Sequence, residues 1–345
     1  MASTPATPKS LSQPAPGAKP WWRERSLYFA LVIWVACIAA IYPISGGVLP
    51  FNRPNISGLS FRQQIVFQVF QPLVFFIFLS VIYWLTRRRA IPDMAHRAPD
   101  RALAARETLL MWIYGGAVLG VGQVVGTRLF GQGIGLHLNG SLLGITHMQT
   151  PREIWFWAAY NFLLYAAVPY LVFCGRGYSR EALNLKSANP RNDTLVILVV
   201  LAMESALEFG LGGAPRLSGH QFILGATLSF IVHLLGTGLP IMIFIYSILM
   251  PRYAKLTGSA TTTVLLGAVS YAALHVTEYW TIYDSASHTA LSIIFATLTF
   301  FWPGLIKSFL TVRTGNAWVH LWAYHAIAPH VTSDTGNIVK FFNIK

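Results

Sequence analysis

The chain has 345 residues, of which 54% are hydrophobic and only 11% charged, with a mean hydropathy of +0.52. Soluble domains carry about 25% charged residues, so these figures exclude a soluble enzyme, a disordered chain and a small secreted domain held by disulfides. The formal charge is +13, from 25 Lys+Arg against 12 Asp+Glu. The basic residues nevertheless stand between apolar runs instead of along one polar face, which is the pattern of membrane-protein loops and not of a nucleic-acid binder.

Residues 1–25 are rich in Pro, Ala, Ser and Lys and have too few apolar groups to bury a core. No small-residue cleavage site follows them, so a disordered, retained cytoplasmic tail is expected. A bilayer crossing needs about 20 apolar residues. Runs that meet or approach this lie near 27–48, 64–86, 108–127, 153–174, 194–212, 220–250, 261–282, 289–311 and 316–329. The expected architecture is an all-α, polytopic transmembrane helix bundle of about nine spans. It divides into N-terminal membrane helices (26–192), a membrane core with a polar cluster (193–330) and a C-terminal tail (331–345). Cys37 and Cys174 fall inside apolar runs without metal or disulfide spacing and read as small buried hydrophobes.

Lys9, Lys19, Arg23 and Arg25 precede the first run, and Arg87, Arg88, Arg89, Arg97, Arg101 and Arg106 follow the second. The positive-inside rule makes both cytoplasmic. By alternation, Arg176, Arg180, Lys186 and Arg191, and then Arg252 and Lys255, also fall inside, whereas 128–152, 213–219 and 283–288 fall outside. This predicts an integral protein of a bacterial plasma (inner) membrane with its N-terminus cytoplasmic, its C-terminus outside and the lipid bilayer as its surroundings. The Gly-rich loop 128–152, with His137 and His147, reads as a plain connection in preference to a fold over a site.

Of the acids, Glu204, Glu208 and Glu278 lie inside apolar runs. Ionisable groups there cost roughly 2.5–3.5 kcal/mol on insertion scales and point to function. Glu204 and Glu208 are spaced i,i+4, and His275 and Glu278 are spaced i,i+3, so each pair is expected to share a helix face. With a rise of about 1.5 Å per residue, Glu204, Glu208, His275, Glu278, His325 and His233 fall roughly 14–26 Å from the inner end of their spans. One polar layer between the midplane and the outer interface follows. Taken singly, His233 and His320 read as structural hydrogen-bonding groups, and His330 and His288 belong at the outer rim.

The stretch FWPGLIKSFLTVRTGNAWVHLWAYH (301–325) resembles the last part of the CPBP family, the type II CAAX prenyl endopeptidases and bacteriocin-processing membrane proteins. Arg313, Thr314, Gly315 and Trp318 match that family's turn. YAALH, from Tyr271 to His275, is similar to its FxxxH motif, and 50 residues separate His275 from His325. The resemblance covers about 220–330. It implies a hydrolase in which a Glu and the FxxxH histidine activate water while a later His/Asn pair stabilises the oxyanion. The chain diverges from the pattern at three places. Alignment of MPRYAKLTG (250–258) puts Ile241 and Met242 where the paired glutamates belong. Tyr324 stands at the family's later histidine position, one residue before His325, and Pro329 stands in place of the Asn.

Three readings lead, with a simple transporter as a minor fourth. The first is a divergent CPBP-like intramembrane hydrolase of peptidase type, acting from the outer-leaflet side on a membrane-tethered peptide or lipid and needing no cofactor. Its catalytic residues would come from Glu204, Glu208, His275, Glu278 and His325. The second is a catalytically inactive CPBP-fold scaffold or immunity-type partner. The third is a metal- or cofactor-dependent membrane enzyme, with a divalent metal held by some of Glu204, Glu208, His275, Glu278, His325 and His233, residue types that Zn, Fe or Mn accept.

Overall fold

The computed structural model of the protein describes residues 23–51, 59–137, 148–212 and 216–345, and the regular structure among them is helical. In chain order the helices are α1 (Arg25–Ser45), α2 (Phe61–Thr86), α3 (Arg101–Phe130), α4 (Pro151–Gly175), α5 (Pro190–Gly212), α6 (Gly219–Thr257), α7 (Ala260–Ala273), α8 (Ala286–Thr314), α9 (317–325) and α10 (Thr335–Phe341). Six of them, α1 to α4, α6 and α8, are long and apolar enough to cross a bilayer. The chain is therefore an all-α integral membrane protein. Up to residue 22, the expected N-terminal tail lies outside the described residues.

Each of the nine apolar runs contains helix, and the three that are not among the six are the polar ones. Helix α5 carries Asp193, Glu204 and Glu208, α7 is only 14 residues long, and the last run is broken after His325. Local chemistry sets the ends. Ser60 with Gln63, Thr150 with Glu153, and Ser218 with Gln221 form reciprocal caps that satisfy exposed backbone N–H groups at the starts of α2, α4 and α6. Gly315 closes α8 at φ +62°, where only glycine is unstrained, and a side chain there would also strike Pro92.

The basic loops meet at one end of the bundle. Arg89 pairs with Asp193 at 2.6 Å and donates to the Thr314 carbonyl, and Arg313 donates to the Thr86 hydroxyl and carbonyl. Arg97 donates to Asn184 and to the Gly315 carbonyl, while Arg176 and Arg252 both hold Glu107, at 2.7 and 2.6 Å. These bonds tie α2, α3, α4, α5, α6 and α8 together where the expected inner loops lie. At the opposite end α10 folds back along α6, with Gly225 against Thr335 and Val339 and the Lys345 carbonyl on His220. The C-terminal residues, expected as a tail, are thus a packed helix.

Candidate functional site

Between the two ends the helices lose their regular hydrogen-bonding. Helix α6 has π-helical turns at Leu234–Gly238 and Met242–Leu249, α9 has one at Leu321–His325, and another follows at Ala328–Ser333. Such turns re-aim side chains and recur at functional sites. At membrane depth irregular backbone is tolerated only where protein or a cavity satisfies it. The seven residues 131–137 after α3 also enter this layer. They bury His137, while Trp157 and Asn161 of α4 donate to the Gly135 carbonyl beneath it.

His137 is the centre of the layer. Its ring lies 4.6 Å from that of His275, 6.2 Å from His325 and 6.0 Å from His330, centroid to centroid, and stacks on Phe300. His137 Nδ1 is 3.7 Å from Glu278 Oε1, and the Tyr271 hydroxyl is 3.5 Å from Nε2. One ligating atom from each of His137, His275 and Glu278 falls within a 4.8 Å group, and the same holds for His137, His325 and His330. His275 donates from Nδ1 to the Tyr271 carbonyl. A carbonyl can only accept, so Nε2 carries the lone pair, and that atom is buried with no hydrogen-bond partner. Both ring nitrogens of His325 are likewise buried and unbonded. A histidine fixed through one nitrogen with the other held open is the usual preparation of a metal ligand.

On the other side of His137 is a cavity of about 40 Å³, enough for one or two waters. Glu204 and Glu208 from α5, Lys307 and Pro303 from α8, and Tyr271 line one part of it, and Tyr324, His325, Pro329 and His330 close it. Lys307 is 2% exposed and sits with Nζ 3.8 Å from the centre of the Tyr271 ring. Lys307, Glu204 and Tyr324 face one another across the same cavity. Gly304 allows this arrangement. A side chain there would meet the Ala268 backbone at 3.0 Å, so glycine lets α8 approach α7 closely enough to bring Lys307 over Tyr271.

The structure gathers Glu204, Glu208, His275, Glu278 and His325 into one buried layer, with His137 common to the cavity and to the His275/Glu278 pair. His233 is in the same layer, stacked on His330 at 4.3 Å. Four expectations are corrected. His275 and Glu278 do not share a helix face: α7 stops at Ala273 and both lie in the following turn, which curls Glu278 back toward His137. The loop after α3 is more than a connection, since it supplies His137; its other histidine, His147, lies outside the described residues. His330 is not at a rim, because the chain breaks at residues 326–327 and turns it inward. The one-residue offset between Tyr324 and His325 does not expel His325, because the π-turn at Leu321–His325 lets both line the cavity.

Lys307, His137, His330 and Asp334 are the site residues that sequence reasoning missed. A visible signal existed for Lys307, a lone cation deep in an apolar run. Comparisons with family models, curated proteins and solved structures find no match to this chain.

Proposed function

We propose that this protein is a membrane-embedded, metal-dependent hydrolase acting on a membrane-tethered peptide or lipid. The observation that carries the reading is the convergence of ligating atoms from His137, His275 and Glu278 within 4.8 Å. Two imidazoles and a carboxylate form the donor set of many hydrolytic zinc sites, which keep one position open for water or substrate. Here the open side is the cavity, because His137 lines it and His275 and Glu278 do not. A divalent ion held there supplies polarisation of a carbonyl and a water acidic enough to react near neutral pH.

The chain's own residues supply the rest. Glu204, whose Oε2 is buried without a hydrogen-bond partner, accepts the proton from water. Lys307 and the nearby Tyr271 hydroxyl offer N–H and O–H donors for oxygen as negative charge develops on it. His325, unbonded at both nitrogens, carries protons or completes the ligand set. Glu208 keeps the cavity polar and hydrated. The buried loop 131–137 keeps lipid chains away from the layer.

The assignment joins the metal-dependent reading to the α5 base of the divergent CPBP-like one, which by itself needs no cofactor. Ile241 and Met242 are buried and apolar, so a base has to come from elsewhere, and the α5 pair provides it. We assign the basic end to the cytoplasm and the opposite end, with the C-terminus, to the outside of a bacterial plasma membrane. The layer then opens toward the outer leaflet. A second reading, an inactive scaffold, is favoured by the same Ile241 and Met242. Glu204→Gln separates the two: a hydrolase loses about 10²–10⁴-fold in turnover of its processed product at matched membrane levels, whereas a scaffold keeps full function.

A further inference from the structure

Beyond His137 and the cavity, His233, His330 and Asp334 form another buried group whose ligating atoms fall within 4.8 Å of one another. His233 Nδ1 donates to the Ser229 carbonyl at 2.8 Å, the same i−4 bond that His275 makes with Tyr271. Its Nε2 therefore presents a lone pair, and that lone pair faces Asp334 Oδ2 at 3.2 Å. The same oxygen is 2.9 Å from His330 Nδ1. His233 Nε2 and Asp334 Oδ1 make no hydrogen bond, although all three side chains are 2% exposed or less. Two lone pairs facing each other in a dry interior repel, and a proton or a metal ion between them removes the cost.

We propose that His233, His330 and Asp334 hold a second divalent transition-metal ion, of the zinc class that binds imidazole and carboxylate. This inference rests on reading the histidine layer as a metal centre. His330 links the two positions. Its Nδ1 faces Asp334, and one of its nitrogens also belongs to the group with His137 and His325. The ion replaces the proton shared by His330 Nδ1 and Asp334 Oδ2, and binding releases that proton to solvent. The fold supports the group from three sides. Ser229 holds the backbone of His330 through its hydroxyl, Trp157 packs against His233, and α10 begins directly after Asp334 and packs against α6.

Zinc titration of the chelator-stripped, detergent-purified full chain, with bound metal counted by elemental mass spectrometry, tests this. The wild type should take up two zinc ions per chain. Asp334→Asn and His233→Ala should each retain one, and His275→Ala should retain the other. Elution as a single species and an unchanged helical circular dichroism spectrum show that each variant is folded. If Asp334→Asn does not fold, His233→Gln serves in its place. One ion in the wild type, lost in His275→Ala and kept in Asp334→Asn, overturns the second position, leaves the first intact and means that His233 and Asp334 share only a proton. One ion lost in Asp334→Asn and kept in His275→Ala overturns the first position alone. No bound zinc in the wild type overturns both.

Discussion

His137 Nδ1 stands 3.7 Å from Glu278 Oε1, beyond hydrogen-bonding distance and yet inside a buried layer where neither group meets bulk water. Two donors each about 2.1 Å from one tetrahedral ion lie roughly 3.4 Å apart. The pair is thus spaced as ligands across a shared cation, and His275 with its open Nε2 completes a third side.

The general base is the first point to test. Glu204→Gln keeps the shape of the side chain and removes its capacity to accept a proton. Turnover should fall by about 10²–10⁴ while metal content stays at the wild-type value. Glu208→Gln, in the same cavity but not the assigned base, should lose less. The measurement is product formation in membranes containing equal amounts of each variant.

Lys307 and Glu204 should behave as one unit. Both line one buried cavity, so Lys307→Met removes a polar neighbour of Glu204 and Glu204→Gln alters the neighbour of Lys307. The double variant should therefore be more stable than the sum of the single losses, by a coupling of about 0.5–3 kcal/mol. Thermal unfolding of the four proteins in one detergent measures it, and strict additivity would show that the two side chains do not interact.

The turn after α8 carries a structural prediction. Gly315 combines φ +62° with Pro92 pressed against the place a side chain would occupy, and its carbonyl accepts from Arg97. Gly315→Val should cost about 1–3 kcal/mol and lower the unfolding temperature, whereas Gly116→Ala, on an open face of α3, should not lower it.

Orientation is checked by cysteine labelling in a chain lacking Cys37 and Cys174. Arg88→Cys should react only from the cytoplasmic side, and Ser285→Cys and Lys345→Cys only from outside. Labelling of all three from one face would overturn the alternation.

The apolar runs and the basic loops between them are legible in the sequence because both follow from the cost of placing charge and free backbone in hydrocarbon. Glu204, Glu208, His275, Glu278 and His325 are legible for the same reason, as polar groups in apolar runs at similar depth. Lys307 on α8 is legible in the same way, but the assembly of the other residues depends on irregular backbone, which carries no periodic signal. His137 arrives on a Gly-rich loop. Glu278 reaches it only because α7 stops at Ala273. His325 keeps its place through a π-turn, and Asp334 enters because the chain folds back after His330. Helical spacing describes none of these.

The central claim is that His137, His275 and Glu278 bind a metal ion, and X-ray absorption at the metal edge of the purified wild-type protein tests it most directly. The account predicts a shell of nitrogen and oxygen atoms at about 2.0–2.2 Å with imidazole scattering behind it, and the loss of the ion held by His137, His275 and Glu278 in both His275→Ala and Glu278→Gln. A metal-free wild-type protein, or an edge intensity per chain unchanged in both variants, would contradict it.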